Sequence, residues 1–184
     1  MEEIIREIFE SNDFIDGNEC FLSEKDLQFN LARMLYKMNC DKVILEYPIK
    51  KENYKNPNDF KGRNAYIDIY CENNDKKYYF ELKYKTKKLT TKRHDLETDF
   101  ELKSHYAHND NINLINNDIQ RLEQIIQKEN NKNCIGYFLL LTNDDYYETN
   151  KKLIKNSPHK ATWEDFTNHN GFQYLLIEIQ NNKE

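Results

Sequence analysis

The chain has 184 residues, 38% hydrophobic and 32% charged, with a formal net charge of -5 and a mean hydropathy of -0.99. That length suits one domain around one core, and the 13% aromatic content supplies buried area that excludes a disordered chain. The acidic balance excludes a nonspecific polyanion coat, so any nucleic acid must be met by a local basic patch.

The N-terminal MEEIIREIFE is acidic and amphipathic, unlike a secretory leader, and no apolar run reaches membrane-spanning length. Cys20, Cys40, Cys71 and Cys134 are scattered with no Cys-x-x-Cys pair, which predicts reduced, structural thiols in a cytoplasmic protein without a membrane partner.

Ile4, Ile5, Ile8 and Phe9 predict a short helix over 2–10. Residues 11–22 read as loop. Ser23 is a good N-cap for a second helix to about Met38, with Leu27, Leu31, Met34, Leu35 and Met38 on its apolar face. Extending that face backwards places Glu24 in the first turn on the inward side, with Gln28 beside it. A strand over 43–49 ends near Pro48, and 50–63 is a polar loop. Two further strands, 65–71 and 77–84, flank the turn-forming segment 72–76.

Residues 85–111 are polar without a period, a long connection of the kind that carries function. A helix over 113–128 shows Ile115, Ile119, Leu122 and Ile126 on one face, and 134–142 reads as a central buried strand. One or two short helices are predicted in 146–169, with Trp163 in the core, and a last strand over 172–179. The expectation is an α/β sheet: an antiparallel meander, then a helical crossover to the central strand.

With a two-residue turn at Asn74-Asp75, facing residues of the hairpin sum to 149, so Asp68 lies opposite Glu81 and Tyr70 opposite Tyr79. Glu81 and Lys83 share a face by alternation, and Asp68 joins them by opposition. The other face carries Ile67, Ile69, Cys71, Phe80, Leu82 and Tyr84. Adjacent carboxylates repel unless compensated, and a divalent cation with oxygen ligands is a fitting compensator. A lysine two residues along then faces whatever the metal binds, and phosphate suits that geometry. The competing reading is a solvated Glu–Lys pair on an exposed face.

Asp68, twelve intervening residues and Glu81-Leu82-Lys83, in a helix–strand–strand–strand–helix–strand order, resemble the PD-(D/E)XK nuclease superfamily over about residues 23–142. The runs SEKDLQFNLA, YFELKYKTK, NDIQRLE and GYFLLLTND resemble a group of small, mostly uncharacterised prokaryotic members. The residue before Asp68 is Ile67, where the name-giving motif has proline. The resemblance implies a restriction endonuclease-like core with N-terminal and C-terminal additions in one domain, and metal-dependent cleavage of DNA, with RNA not excluded. Asp68 and Glu81 would hold Mg2+, or Mn2+ in its place, Glu24 would join them, and Lys83 would assist the attacking water. Restriction or phage defence is the implied setting, with a homodimer or a partner subunit completing the active form. A catalytically silent binding module on the same fold is the alternative.

Phe-Glu-Leu-Lys recurs at 100–103, after Asp99, in polar sequence with few strand formers, so the site is assigned to the first copy. Glu46 is a second candidate acid. Lys85, Lys87, Lys88, Lys92 and Arg93 form the strongest basic cluster, read as backbone-phosphate contacts or as a solvated loop. His94, His105 and His108 lack the spacing and fourth ligand of a zinc site. Asp118 and Arg121 share a helix flank, to pair with each other or brace the site.

Overall fold

The computed structural model describes residues 1–11, 14, 20–49, 65–91, 97–129, 133–154, 160–166 and 171–181, with Thr162 the only side chain covered between 160 and 166. The polar loop expected at 50–63 lies outside the described residues, as do most of 11–22.

Helix α1 (Glu2–Glu10) buries Ile5, Ile8 and Phe9, and the Phe9 ring stacks on Tyr174 with centroids 4.5 Å apart. Helix α2 (Glu24–Lys37) starts where the sequence predicts. The Ser23 hydroxyl accepts from the Asp26 N–H at 3.1 Å, and the Asp26 carboxylate accepts from the Leu22 N–H at 2.9 Å. This reciprocal cap satisfies two backbone donors and fixes the entry into the helix. Its buried face is Leu27, Gln28, Leu31, Ala32, Met34 and Leu35.

Strands β1 (Lys42–Ile49), β2 (Ala65–Asn73) and β3 (Lys76–Lys85) form the antiparallel meander. Asn74 and Asp75 have φ of 50° and 61°, the left-handed pair that a two-residue hairpin turn requires, and Asn and Asp tolerate it. Tyr70 pairs with Tyr79 and Ile69 with Phe80, so the register sums to 149 as expected.

The connection after β3 is ordered further than its composition suggests. Strands β4 (Leu89–Thr91) and β5 (Phe100–Leu102) make a separate antiparallel pair, and helix α3 (His108–Lys128) begins five residues before the predicted 113. The second Phe-Glu-Leu-Lys copy is therefore partly strand, but its ladder partner is β4 and not the strand bearing Asp68. Helix α3 leads to β6 (Cys134–Thr142), which lies parallel to β3. After it come α4 (Asp145–Thr149), a 3-10 turn at Lys151–Leu153, β7 (Lys160–Phe166) and β8 (Phe172–Gln180). Of the one or two short helices expected in 146–169, α4 and the 3-10 turn supply the first part, but Lys160–Phe166 is strand and not helix. Its Thr162, Trp163 and Phe166 are strand formers, and it pairs with β8 along its full length. The Trp163 side chain, expected in the core, is outside the described part.

The main sheet is mixed, in the order β1-β2-β3-β6-β8-β7, with helices on both faces. One face packs Phe80, Leu82, Tyr84, Leu139 and Leu141 under α1 and α2, and the other packs Tyr79, Phe138 and Leu140 under α3. At Gly136 an added Cβ would meet Leu122 Cγ at 2.9 Å, so glycine lets α3 approach β6 closely. No described helix is long and apolar enough to cross a membrane.

Strand β2 departs from the expected alternation. Ile69 and Cys71 lie on the α2 side, but Ile67 packs on the α3 side with Ala65 and Tyr70. Ile67 therefore does not share a face with Ile69. The phase changes at Asp68, opposite Glu46, whose φ of 51° breaks the regular extended backbone of β1. Irregularities of this kind bend a strand and re-aim a side chain.

Candidate active site at the end of strand β3

Because Phe80, Leu82 and Tyr84 fill the α2 side, Glu81 and Lys83 are turned towards α3. Helix α3 meets them with Asp118 and Arg121, three residues apart on one flank. Arg121 Nη2 lies 2.6 Å from Glu81 Oε1 and 3.0 Å from Asp118 Oδ1, and Asp118 Oδ2 lies 2.8 Å from Lys83 Nζ. The chain Glu81–Arg121–Asp118–Lys83 is thus continuous, and both flank residues brace the site as well as pairing with each other.

Asp68 reaches the cluster through the gap in the ladder. The β2–β3 pairing ends at Ile69 and Phe80, one step before Asp68 and Glu81. The freed Leu82 N–H donates to Asp68 Oδ2 at 2.7 Å instead of to a strand carbonyl. The next outward donor on β3, the Tyr84 N–H, is taken by Glu24 Oε2 at 3.1 Å. Two carboxylates from two different elements therefore cap successive backbone donors along one edge of β3. Gln28 locks the arrangement: its amide donates to the Asp68 carbonyl oxygen and, at 3.0 Å, to Glu46 Oε1. Glu46 itself is held by Lys25 and Gln28.

The electrostatics are those of a crowded acidic site. Burial pushes Glu81, 1% exposed, up to about 8 against the attraction of Arg121, and Asp68 and Asp118 push the same way. Burial also raises Asp68 above the usual carboxylate range, opposed by the Leu82 N–H and Lys83 and reinforced by Glu24. Against burial, the carboxylates of Asp118, Glu24 and Glu81 hold the Lys83 ammonium above its ordinary value. Four carboxylates (Glu24, Asp68, Glu81, Asp118) face Lys83 and Arg121, with Lys85 and Lys25 at the edge.

The donor chemistry fits a hard divalent cation. Asp68, Glu81 and Glu24 each give one oxygen to the protein, and their second oxygens, Asp68 Oδ1, Glu81 Oε2 and Glu24 Oε1, accept no hydrogen bond from a described residue. All three are oxygen donors, the type that Mg2+ and Mn2+ take. The site is held in a charge-paired state, however: Arg121 occupies Glu81, and among the described residues no three His, Cys, Asp or Glu side chains already converge as a ligand group. His105 Nδ1 accepts from the Thr86 N–H at 3.0 Å, and His108 pairs with Asp144 at 2.9 Å, each apart from the carboxylates.

The basic cluster divides. Lys87 turns to Asp145 at 3.2 Å and Lys88 to Glu101 at 2.8 Å. Lys92, Arg93 and His94 lie outside the described residues. Lys85 is half-buried beside Glu24 with no carboxylate of a described residue in ion-pair range, and burial pushes its ammonium below the usual lysine range. Two contributors escape the sequence: Gln28, whose inward position was legible but not its bond to the Asp68 carbonyl, and the β4–β5 pair, which walls the site beside Lys85.

No protein-family model matches the chain, and neither do curated proteins or solved structures.

Proposed function

We propose that this protein is a divalent-metal-dependent endonuclease with a restriction endonuclease-like core, hydrolysing phosphodiester bonds in DNA in the setting of restriction or phage defence. One observation carries the reading: Asp68, Glu81 and Glu24 bring unspent carboxylate oxygens to the same end of β3 as the Lys83 ammonium. These three acids would hold Mg2+, with Mn2+ as a substitute. Such an ion supplies Lewis-acid polarisation of a phosphoryl oxygen and a more acidic bound water. Lys83, kept charged and oriented by Asp118, places positive charge beside the carboxylates, where it offsets the negative charge that a phosphate gains on attack. Gln28 and the Leu82 N–H fix Asp68 so that its free oxygen needs no reorganisation.

The test is cleavage of supercoiled and linear DNA with and without Mg2+, by the native chain and by Asp68→Ala, Glu81→Ala and Lys83→Ala. Loss of metal-dependent cleavage in all three supports the proposal, and robust cleavage by all three overturns it.

The Arg121–Glu81 pair favours a second reading, a nuclease fold that binds nucleic acid or a partner without turnover, since it neutralises a ligand that a metal needs. Calorimetry with Mn2+ separates the two. An active site takes up Mn2+ and loses it on Asp68→Asn; a silent module gives no heat. Activity that appears only on co-expression points instead to a required partner subunit.

A further inference from the structure

Next to the carboxylates, and sharing Glu24 with them, is a cavity of about 510 Å³. Its walls come from three elements: Leu22 and Glu24 at the start of α2, Tyr84 and Lys85 at the end of β3, and Phe100 and Leu102 of β5. The hairpin wall is fixed in place, because the buried Thr86 hydroxyl donates to the Lys103 carbonyl at 2.7 Å and the His105 N–H donates to the Thr86 carbonyl at 2.8 Å. The volume falls in the range of about 300–1,000 Å³ that encloses a small molecule. Beside these apolar groups the lining carries charge of both signs, Lys85 and Lys103 as well as Glu24 and Glu101.

The neighbours of Lys85, namely Lys83, Lys87 and Lys88, are each bound to a carboxylate, but Lys85 has none in ion-pair range among the described residues and lines this cavity. A half-buried ammonium without a paired acid is costly unless an anion reaches it. Phe100 is only partly buried and lines the cavity, and aromatic side chains are platforms on which any base can stack.

We infer that this cavity takes one unstacked nucleotide of the substrate, with a backbone phosphate on Lys85 and the base against Phe100, so that the site acts on single-stranded or splayed DNA in preference to intact duplex. The inference rests on the nuclease reading for its substrate class but not for its test. A base inside a duplex cannot enter a cavity on the protein without leaving its stack. An unpaired strand meets no such cost.

The experiment is fluorescence anisotropy in EDTA, so that no turnover occurs, with a labelled oligothymidylate of about ten nucleotides and a blunt duplex of the same length. The native chain is expected to bind the single strand at least ~10-fold more tightly than the duplex. Phe100→Ala is expected to lose about tenfold for the single strand, as removal of one stacking platform does. Lys85→Gln is expected to lower the slope of log affinity against log salt by about 0.7, the signature of one lost phosphate contact on a single strand. Leu22→Trp, which fills the cavity from the α2 side, should give the same loss as Phe100→Ala and serves if that variant melts early by circular dichroism. Equal affinity for duplex and single strand overturns the inference, as does an unchanged salt slope in Lys85→Gln together with unchanged affinity in the folded cavity variants. A chain that shows these losses but never cleaves DNA keeps the pocket and loses the nuclease reading; a chain that cleaves with Mg2+ but shows none of them does the reverse.

Discussion

Arg121 and Glu81 are joined at 2.6 Å between a helix and the centre of a sheet, and Glu81 is the less exposed of the two. The pair is buried, so removing one partner exposes the other to the full cost of an uncompensated charge, about 3–5 kcal/mol. Arg121→Met is therefore expected to destabilise the fold strongly at pH 9. Glu81 escapes that cost by taking a proton, so the loss should shrink towards pH 6. The double variant Arg121→Met with Glu81→Gln should recover most of it. Chemical denaturation of the four proteins at both pH values checks this; a pH-independent loss in Arg121→Met contradicts it.

The same carboxyl sets a pH dependence in the native chain. Its folded pKa, about 8, lies above the ordinary glutamate value of 4.5, so between these limits the native state holds a proton that the unfolded state has released. Stability then falls as pH rises through that window. Asp68, also raised by burial, adds in the same direction. Glu81→Gln, which cannot titrate, is expected to flatten the curve across this window. Urea midpoints across the window decide it, and a native curve that rises with pH would contradict the burial account.

A cation that binds only the folded site stabilises it by mass action, by ~2.7 kcal/mol at a hundredfold excess over its dissociation constant. Melting temperature should thus climb with Mg2+ or Mn2+ and stay flat in Asp68→Asn. The effect should be largest above pH 8, where Glu81 is ionised without the metal's help. Glu24→Gln should keep part of the shift, because it can still accept from the Tyr84 N–H through its carbonyl oxygen. If Glu24→Gln abolishes the shift as completely as Asp68→Asn, Glu24 is an obligatory ligand and not an auxiliary one.

Much of this was legible in the chain because periodicity and turn chemistry act locally. Asn74-Asp75 set the hairpin register, Ser23 set the start of α2, and the apolar run 134–142 identified the strand beside β3. The inward position of Glu24 followed from the helical repeat alone. What alternation could not give is the break at Asp68. Strict period two put Ile67 on the face of Ile69, whereas the irregular step at Glu46 and Asp68 moved Ile67 across and aimed the Asp68 carboxylate at the Leu82 N–H. The β4–β5 pair was illegible because three-residue strands carry too few positions to show a period, and β7 because Lys160, Glu164 and Asp165 leave its sequence without an apolar alternation.

The approach of α3 to the sheet is set by one residue, and it positions Asp118 and Arg121 over Glu81. At Gly136 a methyl group would sit 2.9 Å from Leu122 Cγ and 3.0 Å from Ile126 Cγ1, both buried core atoms of α3. Overpacking of this kind typically costs about 1–3 kcal/mol. Gly136→Ala is therefore expected to lower the melting temperature and to lift the N-terminal half of α3 less than its C-terminal half, since Asp118 lies one turn before the clash. Leu122→Ala in the same chain removes the obstructing atoms and should relieve part of the strain, although alone it opens a cavity at a cost of ~2–5 kcal/mol. Thermal melts of the two single variants and the double variant measure the coupling. A double variant no more stable than the sum of its parts would show that the helix does not rest on Gly136.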